Sequence, residues 1–151
     1  MSKLRSIEMS FKGPGTHFVG DGFKVSQYFP LGKNLQECFS LFILLDYNKP
    51  HHFEASNVRR GVGAHPHRWL ETVTIAYDGS VEHHDNKGNH GIIGAGDVQW
   101  MTAGSGVLHK EYHEKEFSKM VEFFTWYNFG LIYQRSIKWR NQSINQFQNK
   151  K

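Results

Sequence analysis

Two short segments stand out because their side chains could bind one metal ion together. The sequence reads HPH at positions 65–67 and HKE at positions 109–111. Side chains two positions apart on a β-strand project from the same face, so each segment can present both of its ligands to one side. We predict that two such strands face each other across a barrel. The predicted metal ligands are His65, His67, His109 and Glu111.

Three imidazole nitrogens and one carboxylate oxygen suit borderline divalent metals, and such a set leaves coordination positions open for catalysis. A chain with 10 histidines will also contain some doublets by chance. Two doublets in glycine-flanked strand contexts favour a site over chance. Glu71 is open to two interpretations, a residue that supports a ligand or a plain charge at a strand end. Six other histidines are predicted to lie in solvated loops: His51, His52, His83, His84, His90 and His113.

The elements around these segments predict a single all-β domain, a sandwich or barrel. Apolar and β-branched residues occur in short runs separated by glycine-rich turns, and no long helical period precedes residue 110. Residues 48–60 read as a loop, and Asp78-Gly79 predicts a tight hairpin between residues 71–77 and 80–85. The other predicted strands are residues 23–29, 39–47 and 98–101.

Charge, cysteine content and hydropathy exclude several classes of function. Residues 1–118 carry 12 Lys and Arg against 13 Asp and Glu, whereas residues 119–151 carry 6 against 1. The net charge of +4 therefore belongs to the tail, and we do not expect nucleic-acid binding by the body. One cysteine, no secretory leader and no apolar run of about 20 residues predict a soluble cytoplasmic protein without a membrane partner.

The sequence GVGAHPHRWLETVTIAYDGSVEHHDNKGNHGIIGAGDVQWMTAGSGVLHKE closely resembles the N-terminal cupin domain of the pirin family. The family pattern reads HPHRGFETVTY, followed by GDVQWMTAGRGIxHSE. Together with the upstream VGDGF and FILLDY, the resemblance covers residues 14–118. It implies a cupin-type β-barrel of the double-stranded β-helix or jelly-roll kind, without the second cupin of full-length pirins.

The resemblance also implies a mononuclear iron(II) site, with other divalent metals as alternatives, on the four ligands named above. Several bacterial pirins are described as quercetin 2,3-dioxygenases, so the implied substrates are a flavonol such as quercetin and O2. Glu111 would be the catalytic base that accepts the proton of the flavonol 3-hydroxyl. Generic cupins use a glutamate at the position of Glu71, and the pirin resemblance gives that residue a supporting role instead.

The chain departs from the family after residue 118. Codons for the segment that begins at Met120 can be chosen so that a neighbouring reading frame encodes the missing pirin strand QLWVNLP. We therefore hypothesise a one-base deletion near Lys119, which divides the chain into a pirin-like domain, residues 1–118, and an out-of-frame tail, residues 119–151. Residues 122–127 are expected to fill the vacant strand position, and the basic end beyond them is expected to be flexible.

A second departure lies inside the motif, where Trp69-Leu70 replaces the family's Gly-Phe. Two compensating single-base slips would explain it, and the indole is expected to crowd the pocket. Two further functions stay open beside the dioxygenase: an iron- or redox-sensing protein that acts on a protein partner, as eukaryotic pirins resemble transcriptional co-regulators, and a gene remnant without a function of its own.

Overall fold

The computed structural model describes residues 6–7, 9–10, 12–29, 39, 42–120, 122–132 and 143–148, and every structural statement below concerns these residues. They form eleven strands and one single-turn helix, α1 (Lys115–Ser118). The strands are β1 (His17–Val19), β2 (Phe23–Phe29), β3 (Phe42–Phe53), β4 (Gly61–His67), β5 (Leu70–Asp78), β6 (Val81–Asp85), β7 (His90–Ile93), β8 (Val98–Thr102), β9 (Val107–His113), β10 (Glu122–Ile132) and β11 (Ser143–Phe147).

The strands form two antiparallel sheets. The larger sheet has the order β1-β2-β3-β10-β5-β8-β11, and the smaller has the order β4-β9-β6-β7. Alternation along each strand turns one face inward, and the apolar side chains of the two inner faces form a shared core. Its buried members are Phe23, Val25, Phe53, Ala76, Val81, Ile93 and Phe117. This is the all-β, jelly-roll architecture that the sequence predicts.

Two sequence predictions about connections are wrong. Residues 48–53 belong to β3 rather than to a loop, because β10 pairs with β3 along that stretch and satisfies its backbone groups. Residues 71–77 and 80–85 are strands as predicted, but they do not form a hairpin. β5 pairs with β8 and β10, whereas β6 pairs with β7 and β9. The turn at Gly79 therefore carries the chain from one sheet to the other.

Strand β10 occupies the position expected for residues 122–127. It lies between β3 and β5 and pairs with both of them, so it joins two parts of the larger sheet. The segment expected to be flexible includes residues 143–147, which the structure instead places in β11 beside β8. The rest of that segment lies outside the described residues.

The backbone at Trp69 has a left-handed conformation, with φ 61°, and Trp69 is the one non-glycine residue with positive φ in the described part of the chain. Glycine adopts this conformation without a steric penalty, whereas a side chain brings Cβ close to the following carbonyl oxygen. The family pattern has glycine at this position, so the backbone conformation agrees with the family residue and not with the tryptophan.

We predict that Trp69→Gly raises the free energy of unfolding by about 1 kcal/mol, because it removes the left-handed strain. Trp69→Ala is the matched control, since it removes the indole but keeps the Cβ atom that causes the strain. Urea unfolding of the three proteins measures the effect. Equal stability of the glycine and alanine variants would contradict the explanation.

Candidate metal centre

The two histidine segments lie on neighbouring strands of the smaller sheet. β4 pairs with β9, and His65 stands directly opposite His109 in the register. The ring centroids of these two histidines are 4.2 Å apart, and the ring of His67 lies 4.9 Å from His65 and 4.7 Å from His109. The prediction that the strands face each other across the barrel is therefore wrong in its geometry, although the three rings do converge.

A β-bulge sets the face to which these histidines point. Val62 pairs with Glu111 and His65 pairs with His109, so three residue steps along β4 match two residue steps along β9. In a regular ladder, residues at an odd spacing such as 62 and 65 would point to opposite faces. The extra residue brings the side chains of Val62 and His65 to the same face, and both line the cavity between the sheets.

Glycine at position 61 lets β4 approach β9 closely enough for this pairing. A Cβ atom at Gly61 would lie 2.2 Å from the carbonyl oxygen of Glu111 and 2.6 Å from the Cα of Tyr112. Both of these are backbone atoms, which cannot move away independently of their strand. The amide of Gly61 also donates a 2.7 Å hydrogen bond to Asp21, which anchors the start of β4.

Possible ligand atoms form two groups that share His109. Those of His65, His67 and His109 lie within 4.8 Å of one another, and so do those of His83, His109 and Glu111. Glu111 and His109 are buried, with 4% and 2% of their surface exposed, and Glu111 lines the same cavity as His65 and His67. The structure thus gathers the four predicted ligands around one region and adds His83, which the sequence analysis placed in a solvated loop.

Hydrogen bonds define which ring nitrogen of two histidines is free. Nδ1 of His65 lies 3.0 Å from the carbonyl oxygen of Gly63. A carbonyl oxygen can only accept, so Nδ1 donates and the lone pair of Nε2 is available to a metal.

The same reasoning applies to His109 through two buried neighbours. Nε2 of Gln99 lies 3.3 Å from Nδ1 of His83, and Nδ1 of His109 lies 3.2 Å from that same atom. The amide nitrogen of Gln99 only donates, and its orientation is supported because its Oε1 accepts from Gln146 at 3.4 Å. With Nδ1 of His83 as the acceptor, Nδ1 of His109 donates to it.

This assignment leaves Nε2 of His109 as a bare lone pair. That atom is buried and has no hydrogen-bond partner. A buried nitrogen without a partner costs stability unless something binds it. A metal ion can bind the lone pairs of a convergent histidine cluster. The single Nδ1 lone pair of His83 faces both donors, and in this assignment His83 orients His109.

Burial controls the protonation of the cluster. Desolvation, followed by repulsion from His65, lowers the pKa of His67 to about 4. The pKa of His109 is lowered far more, by desolvation first and then by the neighbouring histidines. Desolvation raises the pKa of Glu111 to about 7. At neutral pH the imidazoles of His67 and His109 are neutral and able to bind a cation. A cation that binds the carboxylate of Glu111 displaces its proton, so affinity rises with pH through about 7.

The remaining histidines and Glu71 have other roles. The prediction that six histidines lie in loops is wrong, since all six are on strands β3, β6, β7 and β9. His113 is buried, and its Nε2 donates to the carbonyl oxygen of Gly22 at 2.7 Å, which ties β9 to the turn before β2. Glu71 accepts hydrogen bonds from Trp100 and Thr102 and belongs to neither ligand group.

The burial of His83 could have been predicted from the alternation of side chains along its strand. It lies two residues after Val81, which is buried on the same face of β6. The predicted hairpin hid this signal, because that pairing would have placed β6 beside β5 instead of beside the ligand-bearing β9.

A cavity of about 260 Å³ lies over the ligand cluster, between the two sheets. His65, His67 and Glu111 form its polar floor, and apolar side chains such as Phe23, Val25 and Leu44 form much of its wall. Trp69 is not among the lining residues, so the expectation that its indole crowds this pocket is wrong. No helix in the described part of the chain is long and apolar enough to cross a membrane.

The two sheets, and the histidine–carboxylate cluster beneath their shared cavity, define a cupin-type β-barrel with a candidate metal site. The family model named Pirin matches residues 22–127, and the chain belongs to the pirin family.

Similar proteins agree with this assignment. A protein of Pseudomonas aeruginosa, provisionally named a quercetin 2,3-dioxygenase, is 57% identical over 101 residues, which are 67% of this chain and 35% of that protein. A crystal structure of a quercetin 2,3-dioxygenase from Acinetobacter baumannii is 41% identical with a TM-score of 0.87, covering 91% of this chain and 48% of that one. A bacterial pirin from Escherichia coli in complex with nickel(II) is 25% identical with a TM-score of 0.64, covering 89% of this chain and 54% of that one. This chain thus spans about a third to a half of the length of these relatives.

We predict that the purified protein binds one equivalent of nickel(II) or iron(II) and that His109→Ala binds almost none, because His109 belongs to both ligand groups. His90→Ala is the matched control, since His90 is exposed on β7 and outside both groups. Metal analysis after gel filtration measures the content. Equal metal in all three proteins would contradict the site.

We predict that His83→Leu weakens metal binding by about 10–100-fold without changing the stoichiometry, because His109 loses the acceptor that holds its Nδ1 proton. His83→Asn is expected to recover part of the affinity, since its amide oxygen can replace Nδ1 as acceptor. Competition with a chromogenic chelator measures both. Wild-type affinity in the leucine variant would show that His83 does not orient His109.

Proposed function

We propose that this chain binds one iron(II) ion through His65, His67, His109 and Glu111 and catalyses the O2-dependent ring cleavage of a flavonol. The observation that carries the proposal is the unpaired Nε2 of His109, which is buried within a cluster of three imidazoles and beside a carboxylate. The similarity to a quercetin 2,3-dioxygenase structure supports the substrate class, and the nickel(II) complex of the bacterial pirin supports a divalent ion in this kind of site.

The donor set suits this metal and this chemistry. Imidazole and carboxylate ligands bind iron(II) and its neighbours in the first transition series, and four protein ligands would leave coordination positions open for exogenous ones. Bound iron(II) would supply a Lewis acid for the flavonol oxygen and an electron source for O2.

The protein itself would contribute a base and a shielded environment. Glu111 is buried and lines the cavity, so its carboxylate is placed to accept the proton of the flavonol 3-hydroxyl. The apolar walls of the cavity would hold the flat rings and limit the access of water. In the overall reaction one flavonol and one O2 give a ring-opened ester and one carbon monoxide.

The test is turnover of quercetin by the iron(II)-loaded protein in the presence of O2. We expect loss of flavonol absorbance with release of carbon monoxide, and a rate per bound iron that falls by about 10²–10⁴-fold in Glu111→Gln, because the general base is lost. Glu116→Gln is the control, since it removes an exposed carboxylate from α1.

Unchanged turnover per bound iron in Glu111→Gln would contradict the role of Glu111. Stoichiometric iron without any flavonol turnover would contradict the enzyme and favour the sensing alternative. That alternative further requires a protein partner whose binding depends on the oxidation state of the iron.

A further inference from the structure

The wall of the cavity that faces the ligand cluster carries its own polar group. Leu44, Asp46 and Asn48 alternate along β3 and therefore share one face, and all three line the cavity. Gln27 stands opposite Asp46 in the register of β2 and β3 and lines the cavity as well. Two acceptor-bearing side chains thus project from the larger sheet toward the space above the metal ligands of the smaller sheet.

These acceptors lack partners within the fold. Oδ1 of Asp46 and Oδ1 of Asn48 are buried without a hydrogen bond, and Asn48 is only 2% exposed. The side chain of Gln27 hydrogen-bonds the Asp46 carboxylate, which leaves one oxygen of that carboxylate unpaired. Unsatisfied buried acceptors cost stability, and a donor that enters the cavity would satisfy them.

The surroundings limit the kind of ligand. Phe23, Val25 and Leu44 flank the acceptors with apolar surface, which suits a flat aromatic body. The acceptors require hydroxyl or amine hydrogens on that body. Desolvation raises the pKa of Asp46 to about 6, so the carboxylate is mostly ionised at neutral pH and accepts hydrogen bonds strongly.

We propose that Asp46 and Asn48 form a hydroxyl-binding subsite, which recognises phenolic hydroxyl groups on the part of an aromatic ligand that is remote from the metal centre. The inference rests on the proposed function only for the other end of the ligand, which would lie at the metal. The subsite gives the cavity a specificity that the metal cannot provide, because it distinguishes polyhydroxylated rings from bare ones.

The first experiment compares two flavonols on the nickel(II)-loaded protein. Quercetin and 3-hydroxyflavone share the 3-hydroxy-4-keto group that would reach the metal, and 3-hydroxyflavone lacks every other hydroxyl. We expect Asp46→Leu to weaken quercetin binding by about tenfold or more and to leave 3-hydroxyflavone binding unchanged, as measured by calorimetry. Asp46→Asn keeps one acceptor and should retain part of the affinity, and Glu116→Gln removes an exposed carboxylate as the charge control.

Thermal unfolding separates a binding role from a structural one. Asp46→Leu removes a desolvated carboxylate but also the hydrogen bond from Gln27, so we expect an unfolding temperature close to that of the wild type. Equal weakening of both flavonols, or no weakening of quercetin, would overturn the subsite while leaving the proposed metal chemistry intact.

The second experiment probes the subsite without metal or flavonol. Resorcinol, a small diphenol, is titrated into the chelator-treated full chain, and the side-chain amide signals of Asn48 are followed by NMR. We expect a saturable shift that disappears in Asp46→Leu. A shift without flavonol binding by the metal-loaded protein would support the subsite and reject the proposed substrate. If no shift occurs and the wild type binds the two flavonols equally, the subsite is rejected.

Discussion

The pairing of β4 with β9 is the constraint on which the candidate site depends. Antiparallel register places His65 opposite His109, and the bulge after Val62 keeps both on the inner face. A one-residue slip would turn the histidines of β4 toward solvent while leaving those of β9 inside. Gly61 makes the close approach possible, and the anchor to Asp21 holds the beginning of β4. The candidate ligands are thus positioned by backbone geometry, which is more precise than an arrangement of loops.

A chain of buried hydrogen bonds completes what the register begins. Gln99 on β8 belongs to the larger sheet, whereas His83 on β6 and His109 on β9 belong to the smaller one. The chain therefore crosses the interior and fixes both the tautomer and the orientation of a ligand. Burial keeps these rings neutral, because desolvation lowers the pKa of His83 to about 4. The interior that supplies the hydrophobic core also keeps a cation-binding nitrogen free of protons.

The all-β class and the convergence of the candidate ligands could be predicted from local sequence, because strand periodicity determines which side chains share a face. Neighbour relations between strands do not follow in the same way. The Asp78-Gly79 turn looks like a hairpin locally, yet β5 and β6 enter different sheets, where β5 pairs with β8 and β10 and β6 pairs with β7 and β9. Missing this crossover hid the role of His83. The polar stretch at residues 48–53 likewise becomes a strand only because β10 lies beside it, and no window of sequence contains both partners.

The positions of buried polar atoms without hydrogen-bond partners bear on whether the cavity is a binding site. Of the six buried side-chain atoms without a partner in the described part of the chain, four belong to Asp46, Asn48, His83 and His109. Such atoms weaken the folded state. Those of Asp46 and Asn48 belong to residues that line the cavity, and those of His83 and His109 belong to the candidate ligand groups beneath it. The strain at Trp69 is different in kind, because its side chain is 41% exposed and lies outside the cavity lining. The side chain of Trp69 adds nothing to the cavity, and the glycine of the family pattern would adopt the same backbone conformation without strain, so the strain is better explained by a change in the residue than by a demand of the chemistry.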